Sequence, residues 1–412
     1  VTDAILEVES PDLIDTVVDA GHPYDRRLLG VCVAGFCVFL SVYATQALLP
    51  LLRTHYHTTE DKAAMTVTAV TAAVAITGPW IGLLSERLGR KNVIVGATLL
   101  LTIPLLGAST AHTLRGLVAW RFAQGLVMPG IIAVTMAYVS AEWPPRHVGS
   151  AMSAYITGNV LGGVTGRTMA GLVGDRWGWP RVFVVLGSIN LAGGLLILFL
   201  LPRPRRVTPR PMGAALAAMG NHFRNGRLLS AFFVGASLLF ALVATLNYIA
   251  YHLAGPPFRL SASQIGMLFL VYLVGLVVVP IGGRFIDRRG QRFALLAAVA
   301  LSMGGLSLTL APSVPVAVVG LAMCCSGIFV GQAATASQMG LFAGASKGSA
   351  AGLYATFYYA GGAAGSWVPG KFIWANPHFT GPHWPATVGL VLAVFLAAAA
   401  VAATAWPGRD DA

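Results

Sequence analysis

The chain has 412 residues, of which 56% are hydrophobic and only 10% charged, with a formal net charge of +12. Soluble domains carry roughly 25% charged residues, so charge is too scarce here to cover a soluble multi-domain enzyme, and the apolar excess excludes a disordered chain. What remains is an all-α protein of the bilayer, where one helical span takes about 20 mostly apolar residues.

Residues 1–27 hold Asp3, Glu7, Glu9, Asp12, Asp15, Asp19 and Asp25. They lack the basic flank and apolar core of a cleavable signal and read as a solvated acidic tail on the cytoplasmic side. Twelve apolar runs follow: Leu28–Leu52, Ala63–Leu84, Val93–Ala111, Gly116–Ala141, Gly149–Val173, Val182–Leu201, Leu228–Leu253, Ser263–Ile286, Phe293–Ala311, Val314–Ala343, Gly348–Trp374 and Pro385–Trp406. Backbone facing lipid must satisfy its own hydrogen bonds, so each run is expected to be helical. The connection 202–227, rich in Arg and Pro, divides the runs six and six. Its stretch Pro211–Phe223 is a candidate for a helix lying on the membrane surface. The expected organisation is a first bundle over 28–201, the basic linker over 202–227, a second bundle over 228–406 and a short cytoplasmic tail over 407–412.

With both termini inside, 18 of the 27 Lys and Arg fall on the inner side and 7 on the outer, while Arg121 and Arg167 lie within spans. Cytoplasmic loops collect Lys and Arg. This topology accounts for the positive charge without a nucleic-acid partner. Cys32, Cys37, Cys324 and Cys325 sit in apolar runs and read as small hydrophobes. No P-loop is present, so ATP is not expected to drive the protein directly, and His55-Tyr56-His57 is too sparse for zinc. No catalytic residue, metal site or cofactor is expected; a proton gradient is the candidate energy source.

The halves repeat. At a shift of 199 residues, Gly149, Ser150, Ala151, Tyr155, Thr157, Gly162, Gly163, Gly166 and Gly171 meet Gly348, Ser349, Ala350, Tyr354, Thr356, Gly361, Gly362, Gly365 and Gly370. At a shift of 201, Gly82, Glu86, Arg87 and Gly89 meet Gly283, Asp287, Arg288 and Gly290. Two parallel repeats of this kind build a central site near the bilayer midplane.

The segment Gly82-Leu-Leu-Ser-Glu86-Arg87-Leu-Gly89-Arg90-Lys91 pairs a glycine-permitted turn with a carboxylate able to reach a neighbouring helix N-terminus. It resembles the G-x-L-x-D-R-x-G-R-K signature loop of the major facilitator superfamily, with Glu86 in place of Asp. Gly283–Arg292 is its degenerate second copy. The resemblance spans the chain and implies twelve transmembrane helices in two pseudo-symmetric six-helix bundles. It also implies an inner gate: Glu86 against the start of span eleven near Gly348 and Ser349, Asp287 against span five near Gly149 and Ser150, and Arg87 or Arg90 paired with Glu142, with Arg288 in the same cluster. Without a gate, the cluster would serve only to fix topology.

Arg121-x-x-Gln124-Gly125 in span four resembles the superfamily motif R-x-x-Q-G, whose Arg is linked to proton coupling; snorkelling to the outer surface is the alternative. Gly158-x-x-x-Gly162-Gly163-x-x-Gly166-Arg167 in span five resembles the antiporter motif G-x-x-x-G-P-x-x-G-G, with Gly163 for Pro and Arg167 for Gly. Close helix packing explains the same glycines, and with them Gly361, Gly362 and Gly365 of the repeat. Asp175 is the candidate partner of Arg167. Span one ends Tyr43-x-x-Gln46-x-x-Leu49-Pro50 and span seven ends Asn247-Tyr248-x-x-Tyr251-His252. Together these segments resemble the bacterial arabinose-efflux-permease-like branch. The candidate substrate cavity is lined by Tyr43, Gln46, Arg121, Gln124, Arg167, Asn247, Tyr248, Tyr251 and Gln332.

All 15 acidic residues fall in tails, loops or span ends, so the only charges within spans are positive. A cation is disfavoured in such a cavity, and an anion or neutral solute is favoured. The expected activity is export of a small organic solute across a bacterial inner membrane by alternating access, with protons as the candidate exchange ion. The alternatives are an uptake symporter or facilitator for an organic anion or sugar, and a non-transporting membrane sensor. The expected partners are the solute, protons and membrane lipids, and the expected state is a monomer.

Overall fold

The computed structural model describes residues 23–144, 147–202, 220–343 and 347–407. Residues 1–22 of the acidic tail, the linker over 203–219 and the side chains of Glu86 and Arg87 lie outside the described residues.

Twelve helical spans follow one another without a strand among the described residues. The first half comprises α1 (Pro23–Val42, Ala44–Leu48 and Leu49–His55), α2 (Glu60–Leu88), α3 (Arg90–Ser109), α4 (Leu114–Val127 and Pro129–Glu142), α5 (Val148–Trp177) and α6 (Trp179–Leu200). The second comprises α7 (Gly226–Ala254), α8 (Ala262–Leu268, Phe269–Leu273 and Val274–Arg289), α9 (Gln291–Leu308), α10 (Val314–Phe342), α11 (Lys347–Pro369 and Gly370–Trp374) and α12 (His383–Ala405). The face holding Pro23 and Ala405 is the terminal face, and the opposite one the far face.

Ten spans are long and apolar enough to cross a membrane by length and composition alone. The other two, α5 and α11, are the glycine-rich ones, since glycine adds little hydropathy. These glycines seat α5 and α11 on their neighbours' backbones. A Cβ at Gly158, Gly162 or Gly166 would overlap the carbonyls of Cys32, Phe36 or Leu40 in α1. A Cβ at Gly361 or Gly365 would overlap those of Ala236 or Phe240 in α7. The seam is therefore built twice, once per half, as small-residue packing in membranes predicts. Gly362 packs on the side chain of Leu239 in the same seam.

The signature loop is equally duplicated. Gly89 (φ 83°) alone joins α2 to α3, and Gly290 (φ 80°) alone joins α8 to α9. Only glycine adopts such a backbone at no steric cost.

Four spans depart from straight helices. α1 breaks at Tyr43 (φ −114°, ψ 12°) before a 3-10 turn. α4 is interrupted before Pro129, which has no N–H to continue the ladder. α8 narrows into a 3-10 turn over Phe269–Leu273. α11 widens into a π turn over Gly370–Trp374 after Pro369.

Candidate functional site

The break in α1 frees the carbonyls of Ser41 and Val42 from the helical ladder. Arg121 of α4 takes both, with Nη1 donating to Ser41 O (2.8 Å) and Nη2 to Val42 O (2.6 Å). Its Nε donates to Thr66 O of α2 (3.0 Å) and its Nη1 also to Gln124 Oε1. Gln124 in turn donates to Pro104 O of α3 (3.4 Å). Both side chains are fully buried. In this conformation Arg121 and Gln124 are engaged in these bonds rather than exposed to the expected cavity, and Arg121 does not snorkel to the surface. A cation at the C-terminal end of a helix segment is favourable, and Arg121 with Gln124 ties four helices of the first half into one polar knot.

The second intramembrane arginine has a different setting. Arg167 of α5 is 1% exposed. Its Nη1 donates to Gly163 O (2.7 Å) and its Nε to Gln46 Oε1 of α1 (2.7 Å). Its guanidinium carbon lies over the rings of Tyr43 (5.0 Å), Phe269 (5.5 Å) and Tyr272 (4.7 Å), within cation–π range. The expected partner Asp175 is engaged elsewhere, accepting from Ser263 of α8 (2.6 Å). Among the described residues no carboxylate pairs with Arg167. Gly163, where the antiporter motif has Pro, faces this arginine: a Cβ there would stand 3.1 Å from Nη1.

From Arg167 a head-to-tail chain crosses the bundle. Gln46 Nε2 donates to Asn247 Oδ1 (2.8 Å), Asn247 Nδ2 to Ser366 Oγ (2.9 Å), and Ser366 Oγ to Ala64 O (2.9 Å). Every link donates away from the guanidinium, so the cation polarises all of them in one sense. The chain passes α5, α1, α7, α11 and α2, and so crosses between the halves twice. Gln46 and Asn247 are 201 residues apart, the repeat spacing of the signature loops. Arg167 and Ser366 are related by the 199-residue shift of the glycine seam. Equivalent residues can touch only on the axis relating the repeats, so the Gln46–Asn247 bond marks that axis. The position that holds a hydroxyl in one half holds a guanidinium in the other.

Beyond this chain the far face is closed. Tyr248 donates to Ser366 O (2.5 Å) and Tyr251 to Glu60 O (3.4 Å), and both rings pack on Trp374 with centroids 5.6 and 5.7 Å away. Tyr248 and Tyr251 are thus parts of the far-face seal rather than the cavity lining expected of them. Thr168 donates to Gly266 O (3.1 Å), and Gly171 presses on Ala262 as Gly370 presses on Asp61. These last two contacts are pseudo-equivalent.

On the terminal face α5 and α8 part. Ser150 and Asp287 are exposed, and a Cβ at Gly149 would meet no atom within 4 Å. The expected contact of Asp287 with Gly149 and Ser150 is not made in this conformation. Arg288 is exposed, Glu142 half-buried, and Arg90 is not paired with Glu142, its buried Nη1 having no hydrogen-bond partner. Gln332 is half-buried on α10 with Nε2 unpartnered.

Of the expected lining, the structure brings Tyr43, Gln46, Arg167 and Asn247 together. It adds residues that sequence reasoning passed over. Tyr272 of α8 and Tyr358 and Tyr359 of α11 lie within electrostatic reach of Tyr43 and of one another. Tyr354 stacks on Tyr358 (5.8 Å, 25°), and Tyr358 meets Tyr359 edge-on (5.4 Å, 89°). The spacing Tyr354-x-x-x-Tyr358 was a signal that these two share a helix face. Tyr272 sat in a uniformly apolar run and gave none.

A family model described as Major Facilitator Superfamily matches residues 31–366. The chain belongs to the major facilitator superfamily. It is 31% identical over 386 residues to the uncharacterized MFS-type transporter YybF of Bacillus subtilis, covering 93% of this chain and 94% of that one. It is 30% identical over 390 residues to the inner membrane transport protein YnfM of Escherichia coli, covering 94% and 92%. Its fold matches the crystal structure of a bacterial homolog of the human lysosomal transporter Spinster in an inward-facing, occupied conformation. That match has a TM-score of 0.72 at 16% identity and covers 94% of this chain and 97% of the other. As a superfamily member the protein is a multi-pass membrane transporter.

Proposed function

We propose that this transporter moves a small organic anion across a bacterial inner membrane by alternating access of its two bundles to a site beneath Arg167. The observation that carries the reading is that arginine. Its charge is buried, hydrogen-bonded to the neutral oxygens of Gly163, Gln46 and Tyr272, and has no described carboxylate beside it. An intramembrane charge is costly and is characteristically matched by a partner, and an anionic substrate supplies the missing one. Alternating access is supported by contacts concentrated on the far face while α5 and α8 part on the terminal face. The excess of Lys and Arg makes the terminal face cytoplasmic, and the name of the Escherichia coli relative supports the inner membrane. The glycine run that suggested export by proton exchange is taken up in seating α5 on α1, so it no longer argues for a direction.

The test compares benzoate with benzylammonium as ligands of the purified protein in lipid nanodiscs. Benzoate is expected to raise the melting temperature and benzylammonium to leave it unchanged, and the Arg167→Gln variant is expected to lose the difference. In proteoliposomes at about pH 8, where benzoate is ionised, radiolabelled benzoate should exchange faster through the wild type than through Arg167→Gln. An equal or reversed ranking of the two ligands, or equal exchange by the two proteins, overturns the reading.

A further inference from the structure

Ten of the tyrosines have described side chains, and their hydroxyls divide into two sets. Those of Tyr56, Tyr138, Tyr155, Tyr248 and Tyr251 each donate to a backbone carbonyl. The other five are not so engaged: that of Tyr272 meets the Arg167 guanidinium, and those of Tyr43, Tyr354, Tyr358 and Tyr359 have no hydrogen-bond partner among the described residues yet are not among the fully buried unpartnered atoms, so these four retain accessible surface. A buried tyrosine ordinarily finds a partner for its hydroxyl. Here the four exceptions and Tyr272 come from α1, α8 and α11, belong to both halves, and gather around Tyr43 and Tyr272, the two that lie beside Arg167.

From this we infer that the site is built for a planar aromatic carboxylate. The inference rests on the anion reading above and narrows it. The carboxylate lies against the guanidinium of Arg167, whose Nη2 donates to no protein carbonyl or carboxylate. The ring lies against Tyr358, which Tyr354 backs in a nearly parallel stack at 25°. Offset stacking and edge-to-face contacts reward a flat ring beyond the area it buries. The free hydroxyls accept from or donate to ring substituents. A saturated ring of the same charge keeps the ion pair and loses the stacking.

The test is equilibrium binding to the full chain in nanodiscs, with benzoate, cyclohexanecarboxylate and benzylammonium as probes. Benzoate is expected to bind about threefold to tenfold tighter than cyclohexanecarboxylate, the range that aromatic stacking supports. Tyr358→Phe should keep this ratio because the ring stays. Tyr358→Leu should bring it close to one while leaving cyclohexanecarboxylate binding in place, which also reports that the variant is folded. If the two carboxylates bind the wild type equally while benzylammonium binds neither tightly nor competitively, the aromatic inference is overturned and the anion reading stands. If benzylammonium binds as well as benzoate, both are overturned.

Discussion

Arg121 and Arg167 look alike in the sequence, since each is a lone guanidinium inside an apolar run. Their surroundings assign them opposite work. Arg121 donates to the carbonyls of Ser41, Val42 and Thr66, and its loss would orphan the first two, which the break in α1 leaves without helical partners, inside the bilayer. Each buried unsatisfied group costs about 1–3 kcal/mol. Arg121→Met is therefore expected to lower stability by at least about 2 kcal/mol, read as a lower melting temperature of the purified protein. Lysine cannot reach three carbonyls with a planar fork, so Arg121→Lys should rescue only part of the loss. Arg167 bonds neutral oxygens and carries an uncompensated charge. Removing it lifts the cost of burying an unpaired charge, which offsets the loss of its hydrogen bonds. Arg167→Met is accordingly expected to melt no lower than wild type in the absence of ligand and to lose stabilisation by benzoate. A large drop in melting temperature for Arg167→Met, with no drop for Arg121→Met, would reverse the two assignments. The sequence could show that both charges were intramembrane. It could not show whose carbonyls each would meet, because the partners of Arg121 lie 55 to 80 residues away on other helices.

The helices themselves were largely legible. The run expected over Phe293–Ala311 is a helix over Gln291–Leu308, and the run expected over Ala63–Leu84 is a longer helix over Glu60–Leu88. α5 and α11 are the least hydropathic of the twelve, yet they read as apolar runs over Gly149–Val173 and Gly348–Trp374, and the glycine repeat pairs them. What escaped were the breaks in α1 and α8, since neither Tyr43 nor Phe269 is a helix breaker and the break in α1 is capped from outside by Arg121. The glycine pattern also carried more than one message. Gly166 packs within a half, against Leu40, whereas Gly171 packs between halves, against Ala262. A leucine at the first should disrupt the first bundle, and a leucine at the second should leave each bundle intact and hold their far ends apart. Gly171→Leu is therefore expected to fold while shifting the protein toward a far-face-open state. Spin labels at Arg176→Cys and Arg259→Cys, both exposed on the far face and one in each half, would report a longer distance population in Gly171→Leu than in its parent. An unchanged distribution would remove Gly171 from the closing contact.

At the scale of the whole molecule, the repeat places a polar chain on the axis about which the halves must move. The chain begins at the binding cation, crosses to the partner half and returns, so the two events share one set of atoms. Gln46 Oε1 occupies the Nε of Arg167, and Gln46 Nε2 holds Asn247 across the axis. An anion drawing the guanidinium toward the tyrosines weakens the first bond, and with it the polarisation that strengthens the second. A ligand shifts an equilibrium only by its differential affinity for the two states, and this competition supplies such a difference. Gln46→Leu removes both bonds at once. It is expected to bind benzoate about tenfold tighter, a change of about 1.4 kcal/mol, because the anion no longer competes with the amide. Its far-face spin-label distances should already be long without ligand and should lengthen little more when ligand is added. Asn247→Leu should lengthen the unliganded distances in the same way, and the double variant should move them no further, since both substitutions cut the same link. Gln46→Leu protein with wild-type affinity and a wild-type response to benzoate would mean that binding and closure are linked through some other path.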